Sequence, residues 1–219
     1  MNKFCQIIIL LFIIGCKNEP IKQVEFNQEL KDELAKMAIT DQIAAYIPQG
    51  KHKELTKEEW NAYKDSVFTT HQKRLSEIFN NHGFPGFDLV GKEGAKNFWM
   101  MTQHSDKKPE FQFKVLEKMK VEVSKKNAKA RLFGLLTDRV NLNTGKKQIY
   151  GTQLDFDVTI GKGYPRNLAD SVNVNKRRLE IGLEPLEVYL NKMNQMHFKM
   201  NKTHYDKIGI IKPYEYVVK

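Results

Sequence analysis

Apolar residues recur every three to four positions through most of this chain, and that spacing is the strongest constraint on its fold. Over residues 24–46, Phe26, Leu30, Leu34, Met37 and Ala38 share one helical face, and Pro48-Gln49-Gly50 ends the segment. Thr56 and Glu59 form a capping box, in which each side chain satisfies a backbone amide at the start of a helix. The stripe that follows (Trp60, Tyr63, Val67, His71, Leu75, Ile78) stops at Asn81-His82-Gly83, before Pro85. A third helix is expected over residues 92–103, with Ala95, Phe98, Trp99 and Thr102 inward. A fourth starts at Pro109, and a fifth covers residues 128–140. The period then changes. Asn143-Thr144-Gly145 has the composition of a hairpin turn, and Leu154, Phe156, Val158 and Ile160 alternate with polar residues as in a strand that Gly161-Lys162-Gly163 would end. Helices return over residues 170–181 and 185–200, and residues 208–218 suit an edge strand or an ordered tail. The expected fold is mainly α: a single helical domain over residues 24–219 with an inserted β-hairpin.

The first sixteen residues read differently. Lys3 precedes an unbroken apolar run of eight residues, 7–14. That is too short to cross about 30 Å of hydrocarbon as a helix, and it fits the core of a secretory signal. Ile13-Ile14-Gly15-Cys16 resembles the lipobox of bacterial lipoproteins, with Ile13 where Leu is commoner. The resemblance implies a signal peptide over residues 1–16 and lipidation of Cys16 with palmitate-like chains. It also implies a polar tether over residues 17–23 and attachment to a membrane of the bacterial cell envelope. An ordinary cleaved signal or a buried N-terminal helix is the alternative. Cys5 would leave with the signal and Cys16 would be alkylated, so no thiol would remain for catalysis.

Composition narrows the function classes. Two cysteines in 219 residues exclude a disulfide scaffold and a cysteine-rich zinc module. The net charge of +10 is spread over a chain with 28% charged residues, which suits contact with anionic lipid, glycan or a small anionic molecule. No nucleic-acid motif is present, and nucleic acid is not expected as a partner. No GxGxxG or GxxxxGK[ST] loop, HExxH helix or GxSxG elbow occurs, and no cofactor is expected.

Three polar segments could carry chemistry. In Gln103-His104-Ser105-Asp106 a carboxylate two residues from the imidazole could hold it in one tautomer as a general base. The same residues would also serve as a helix C-cap. In Asp138-Arg139 the guanidinium could clamp an anion, or the pair could fix the hairpin as a buried bridge. In residues 148–153, strand alternation would put Gln148, Tyr150 and Thr152 on one face, and that face could line a pocket or simply be wet. Arg177 supplies a further cation. His104, Asp106 and Asp138, with His71 or His82, are the only plausible metal ligands, and no metal site is expected.

These segments occur in an order that resembles an uncharacterised bacterial family, a domain of unknown function whose members are often lipoproteins. The resemblance rests on Gln103-His104-x-Asp106, Asp138-Arg139 and Gln148-x-Tyr150-Gly151-Thr152-Gln153. Gly83-Phe84-Pro85, Arg177-Arg178 and Gly182-Leu183-x-Pro185 support it. It implies that the polar segments belong together, and it names no reaction. The function expected is binding of an anionic or hydroxylated ligand through Gln103, Arg139, Gln148, Tyr150, Thr152, Gln153 and Arg177, or an envelope scaffold. One alternative is a small hydrolase with His104 as general base, Asp106 and Asp138 as its carboxylates and Arg139 stabilising negative charge. The other is a partner-binding subunit of an envelope complex.

Overall fold

A computed structural model describes residues 24–218. The expected leader over 1–16, with Cys16, and the tether over 17–23 lie outside the described residues. The fold is mainly α with one small hairpin. Helices α1 (Gln28–Ala45), α2 (Lys57–His82), α3 (Phe87–Gln103), α4 (Pro109–Ser124) and α5 (Ala130–Asn143) come first. Strands β1 (Leu154–Asp157) and β2 (Lys162–Pro165) follow, then α6 (Val174–Glu180), α7 (Leu186–Met200) and α8 (Lys202–Lys207). Among the described residues no helix is long and apolar enough to cross a membrane.

The stripes on α1 to α5 converge on one core. Leu34, Leu75, Phe98, Val115, Met119 and Leu136 are fully buried there, each contributing about 1.5–3 kcal/mol of apolar transfer. A smaller cluster of Val174, Leu186 and Leu190 lies under the hairpin and tail. The capping box forms as expected: Thr56 Oγ1 accepts from the Glu59 amide at 3.2 Å, and the Thr56 amide donates to Glu59 at 2.8 Å. Helix α3 begins earlier than its apolar spacing indicates, because Gly91 at φ 70°, ψ 175° breaks the helical path before the regular run resumes. Only glycine adopts that backbone readily.

The hairpin lies later than expected. Asn143-Thr144-Gly145 closes α5 instead: the Thr144 amide bonds Val140 O at 3.0 Å, Gly145 turns left-handed at φ 75°, and the Lys146 amide returns to Asn141 O at 2.7 Å. A helix cap and a hairpin turn both need a residue with positive φ, so the same signature serves either. The alternating run divides at its middle. Leu154 pairs with Pro165 and Asp157 with Lys162, antiparallel, and Gly161 at φ 66° closes the turn. Gly161-Lys162-Gly163 therefore opens the second strand rather than ending the first. The tail is ordered without being a strand. Asn191 bonds both the amide and the carbonyl of Tyr216, and Tyr216 OH donates to Gly163 O at 2.7 Å.

Candidate functional site

The C-terminal end of α3 carries His104, and its partner comes from α1. His104 Nδ1 lies 2.8 Å from Asp41 Oδ2. Asp41 is completely buried, with Gln42 Nε2 donating to the same oxygen at 3.2 Å. His71 Nδ1, from α2, lies 3.7 Å from the other carboxylate oxygen. Burial pushes the Asp41 carboxyl up, but the hydrogen bond from His104 and the nearby His71 imidazole outweigh it and hold it below the usual carboxylate range. A carboxylate accepts from Nδ1–H, so the neutral His104 ring keeps Nε2 as its free acceptor. The tautomer expected from Asp106 is thus set by Asp41. Sequence reasoning missed Asp41, whose signal is a lone acid on a buried stripe: Leu34, Ala38, Asp41, Ala44.

Asp106 faces a different set of groups. Arg139 Nη1 donates to its Oδ2 at 2.7 Å, and Asn143 Nδ2 and Gln112 Nε2 donate to its Oδ1 at 2.8 and 3.1 Å. Burial raises this carboxyl, and the Arg139 charge with the amide bonds brings it below its ordinary value. Gln112 is fully buried on α4 and also donates to the Thr102 carbonyl, so the end of α3 is fastened to α4 and α5.

Residues 148–153 do not form the expected strand face. They wrap as a loop around Asp138, which is completely buried on α5. The Ile149 and Tyr150 amides donate to Asp138 Oδ1 at 2.7 and 3.0 Å, and the Thr152 amide donates to Oδ2 at 2.8 Å. Gly151 at φ 70° gives the turn that aims three amides at one carboxylate. Gln148 sits inside the loop, accepting from the Gln153 amide and donating to the Gln153 and Arg166 carbonyls. Outside it, Arg177 bonds the Ile149 carbonyl and Asp170, while the fully buried Arg178 bonds the Tyr150 and Glu184 carbonyls. Burial raises the Tyr150 phenol. Asp138, Gln148 and Arg177 thus bond backbone that shapes this loop.

The loop delivers Thr152 and Gln153 to a cleft of about 420 Å³, where they meet Gln103, His104, Arg139 and Tyr189. Five of the ten ligand-binding and catalytic residues expected from sequence share this wall. On the other side of His104 lies a cleft of about 260 Å³, lined by Phe68, Gln72, Asp106 and Lys107 among others. His104 borders both. Among the described residues, the buried side-chain polar atoms without a hydrogen-bond partner are Asp41 Oδ1, His71 Nδ1, Gln103 Nε2, Arg139 Nε and Arg178 Nη2. Two of these residues line the larger cleft, and Arg178 lies 5.0 Å over the ring of a third lining residue, Tyr189. Buried polar groups are nearly always paired, so orphans gathered at one place mark it out. Among the described residues no three His, Cys, Asp or Glu side chains gather as metal ligands.

Residues 28–200 match a family of unknown function, DUF6624. No curated protein and no solved structure matches the chain. The matched region contains every side chain of both clefts.

Proposed function

The chain belongs to the DUF6624 family of unknown function, and from that premise we propose that the larger cleft binds a small ligand bearing anionic or hydroxyl oxygens. One observation carries this. Gln103, 7% exposed, and Arg139 both line the cleft with a buried N–H that has no acceptor. Both are donors, so the complementary ligand presents acceptors. Arg139 is held in place through Nη1 by Asp106, and His104 by Asp41, so little side-chain freedom remains to be lost on binding. The test is a thermal-shift titration with inorganic phosphate, carboxylates and simple sugars. A ligand at 100 times its Kd should add about 2.7 kcal/mol of stability. Arg139→Gln should abolish that gain, and a gain that survives the substitution would refute the site.

The Asp41–His104 bond of 2.8 Å favours a second reading, hydrolysis. Here His104 Nε2 takes a proton from water, Asp41 stabilises the resulting imidazolium, and Arg139 faces the developing negative charge. Turnover of a bound ester or phosphoester whose kcat collapses in His104→Ala by far more than its KM changes would establish it. We further propose that lipid chains on Cys16 hold the chain at a bacterial envelope membrane. Two chains are needed for stable anchoring. Cys16→Ala should then move the protein from the membrane to the soluble fraction and stop palmitate labelling.

A further inference from the structure

The polar cleft does not stop at its own rim. Gln42 and Met100 border it, and both also border a groove of about 830 Å³ on the neighbouring face. That groove is mainly apolar: Ala35, Ile39 and Ile43 of α1 line it, followed by Tyr46, Ile47 and Met100, with Gln49, His52, Lys96 and Asn97 as its polar lining beyond the shared Gln42. The α1 part alone, from Ala35 to Ile43, runs about 12 Å at 1.5 Å per residue. Ile39, Ile43, Tyr46 and Ile47 are 66, 42, 57 and 60% exposed, a concentration of apolar surface that water does not favour. A mainly apolar groove therefore lies next to the polar cleft, with Gln42 and Met100 as their common border and two residues carrying unpartnered N–H groups, Gln103 and Arg139, on the far side of that border.

We propose that groove and cleft form one site for a single-chain anionic amphiphile, with the aliphatic chain along α1 and the anionic head at Gln103, His104 and Arg139. The head position rests on the ligand cleft proposed above; the chain position rests on the groove and its shared border. Charge complementarity selects the head, because Arg139 Nε and Gln103 Nε2 are buried and unmatched, while the groove offers mainly hydrocarbon contacts and its ammonium, Lys96, already pairs with Glu93 at 3.4 Å. The occupant is a monomeric amphiphile rather than a bilayer, since only a free chain can lie along the groove while its head reaches a wall that includes the nearly buried Gln103.

Both tryptophans report on this site. Trp99 lines the polar cleft, and Trp60 packs 5.6 Å from His52, which lines the groove. The experiment titrates the full chain with inorganic phosphate, hexyl phosphate, dodecyl phosphate and uncharged dodecyl maltoside, all below micelle formation, and follows tryptophan fluorescence. Full burial of a CH₂ is worth about fourfold in affinity. In an open groove half that free energy gives about twofold per CH₂, or roughly 60-fold from hexyl to dodecyl phosphate. The double variant Ile39→Asp, Ile43→Asp should erase the chain-length gain and leave the response to inorganic phosphate unchanged. Both positions are exposed, so folding is preserved. Arg139→Gln should weaken every phosphate ligand alike. Equal affinity for hexyl and dodecyl phosphate, both dependent on Arg139, would overturn the amphiphile site and leave the polar cleft standing. No response to any phosphate would overturn both. Dodecyl maltoside binding as tightly as dodecyl phosphate, indifferent to Arg139→Gln, would overturn the anionic head. Two other results would overturn the monomeric occupant: binding to phosphatidylglycerol vesicles without binding of monomer, or self-association lost in the double variant.

Discussion

Replacing Asp138 tests whether this carboxylate is a structural centre. It is completely buried and accepts three backbone amides, from Ile149, Tyr150 and Thr152, at 2.7, 3.0 and 2.8 Å. In Asp138→Ala all three lose their acceptor. An orphaned buried N–H costs about 1–3 kcal/mol. Thr152 is 5% exposed and takes the middle of that range, whereas Ile149 and Tyr150 are half-buried, can recruit water and take the low end. The expected loss is about 4 kcal/mol, a large part of the 5–15 kcal/mol that holds a typical domain together. Asp138→Asn is the finer probe. Its oxygen can still serve Ile149 and Tyr150, but its amide group turns a donor toward the Thr152 N–H, for a loss of about 2 kcal/mol. Urea denaturation followed by circular dichroism measures both, with the slope checked for two-state behaviour. If either variant stays within about 0.5 kcal/mol of the parent, a change typical of surface substitutions, the loop does not depend on Asp138. A carboxylate kept for acid–base chemistry would behave in that second way, so the experiment separates the two roles.

Three further outcomes follow from the same geometry. His104→Ala leaves the buried Asp41 carboxylate with Gln42 as its remaining close donor, and should cost about 2–3 kcal/mol in urea denaturation; an unchanged midpoint would mean that Asp41 does not need the imidazole. Asp41 and Asp106 both ionise below their ordinary value of 3.8 in the fold, so their stabilisation is complete above that pH and is lost as pH falls through the lower folded values. Melting temperatures between about pH 5 and pH 2 should therefore fall, and Asp106→Asn should flatten part of the fall. Gly91→Ala forces a side chain into φ 70°, ψ 175° and should cost about 1–3 kcal/mol; a neutral result would mean that α3 can straighten.

Helices were legible wherever one face is buried. The stripe from Trp60 to Ile78 and the capping box at Thr56 describe α2 almost to the residue, because burial and capping act on positions three and four apart. Turns were less legible, because positive φ is a local need shared by several structures. Gly145 and Gly161 both adopt it, the first to close a helix and the second to close the hairpin. The segment 148–153 alternates in composition, yet Asp138 draws its amides inward, and three charge-assisted bonds outweigh any strand pairing. No periodicity within six residues reveals a carboxylate ten positions upstream.

The site follows the same logic one level up. Gln103, His104, Arg139, Thr152 and Gln153 are legible as polar residues at the ends of helices and in a glycine-bearing loop, and the fold brings them to one wall. Their mutual support is not legible, because it crosses between elements. Asp106 is the nearest acid to His104 in sequence, and it is committed to Arg139, Asn143 and Gln112. The acid that holds His104 lies 63 positions away, on a helix whose other buried side chains are apolar. A buried carboxylate without partners would be expelled or protonated, so its place on that stripe already requires cations or donors from the helices packed there. His71 occupies the matching place on α2, an imidazole among Val67, Leu75 and Ile78. Read together, two polar residues on two apolar stripes predict their own contact. The imidazole that closes the set, His104, stands where α3 ends and the clefts begin, so the requirement that stabilises Asp41 also fixes the one ring that faces both clefts.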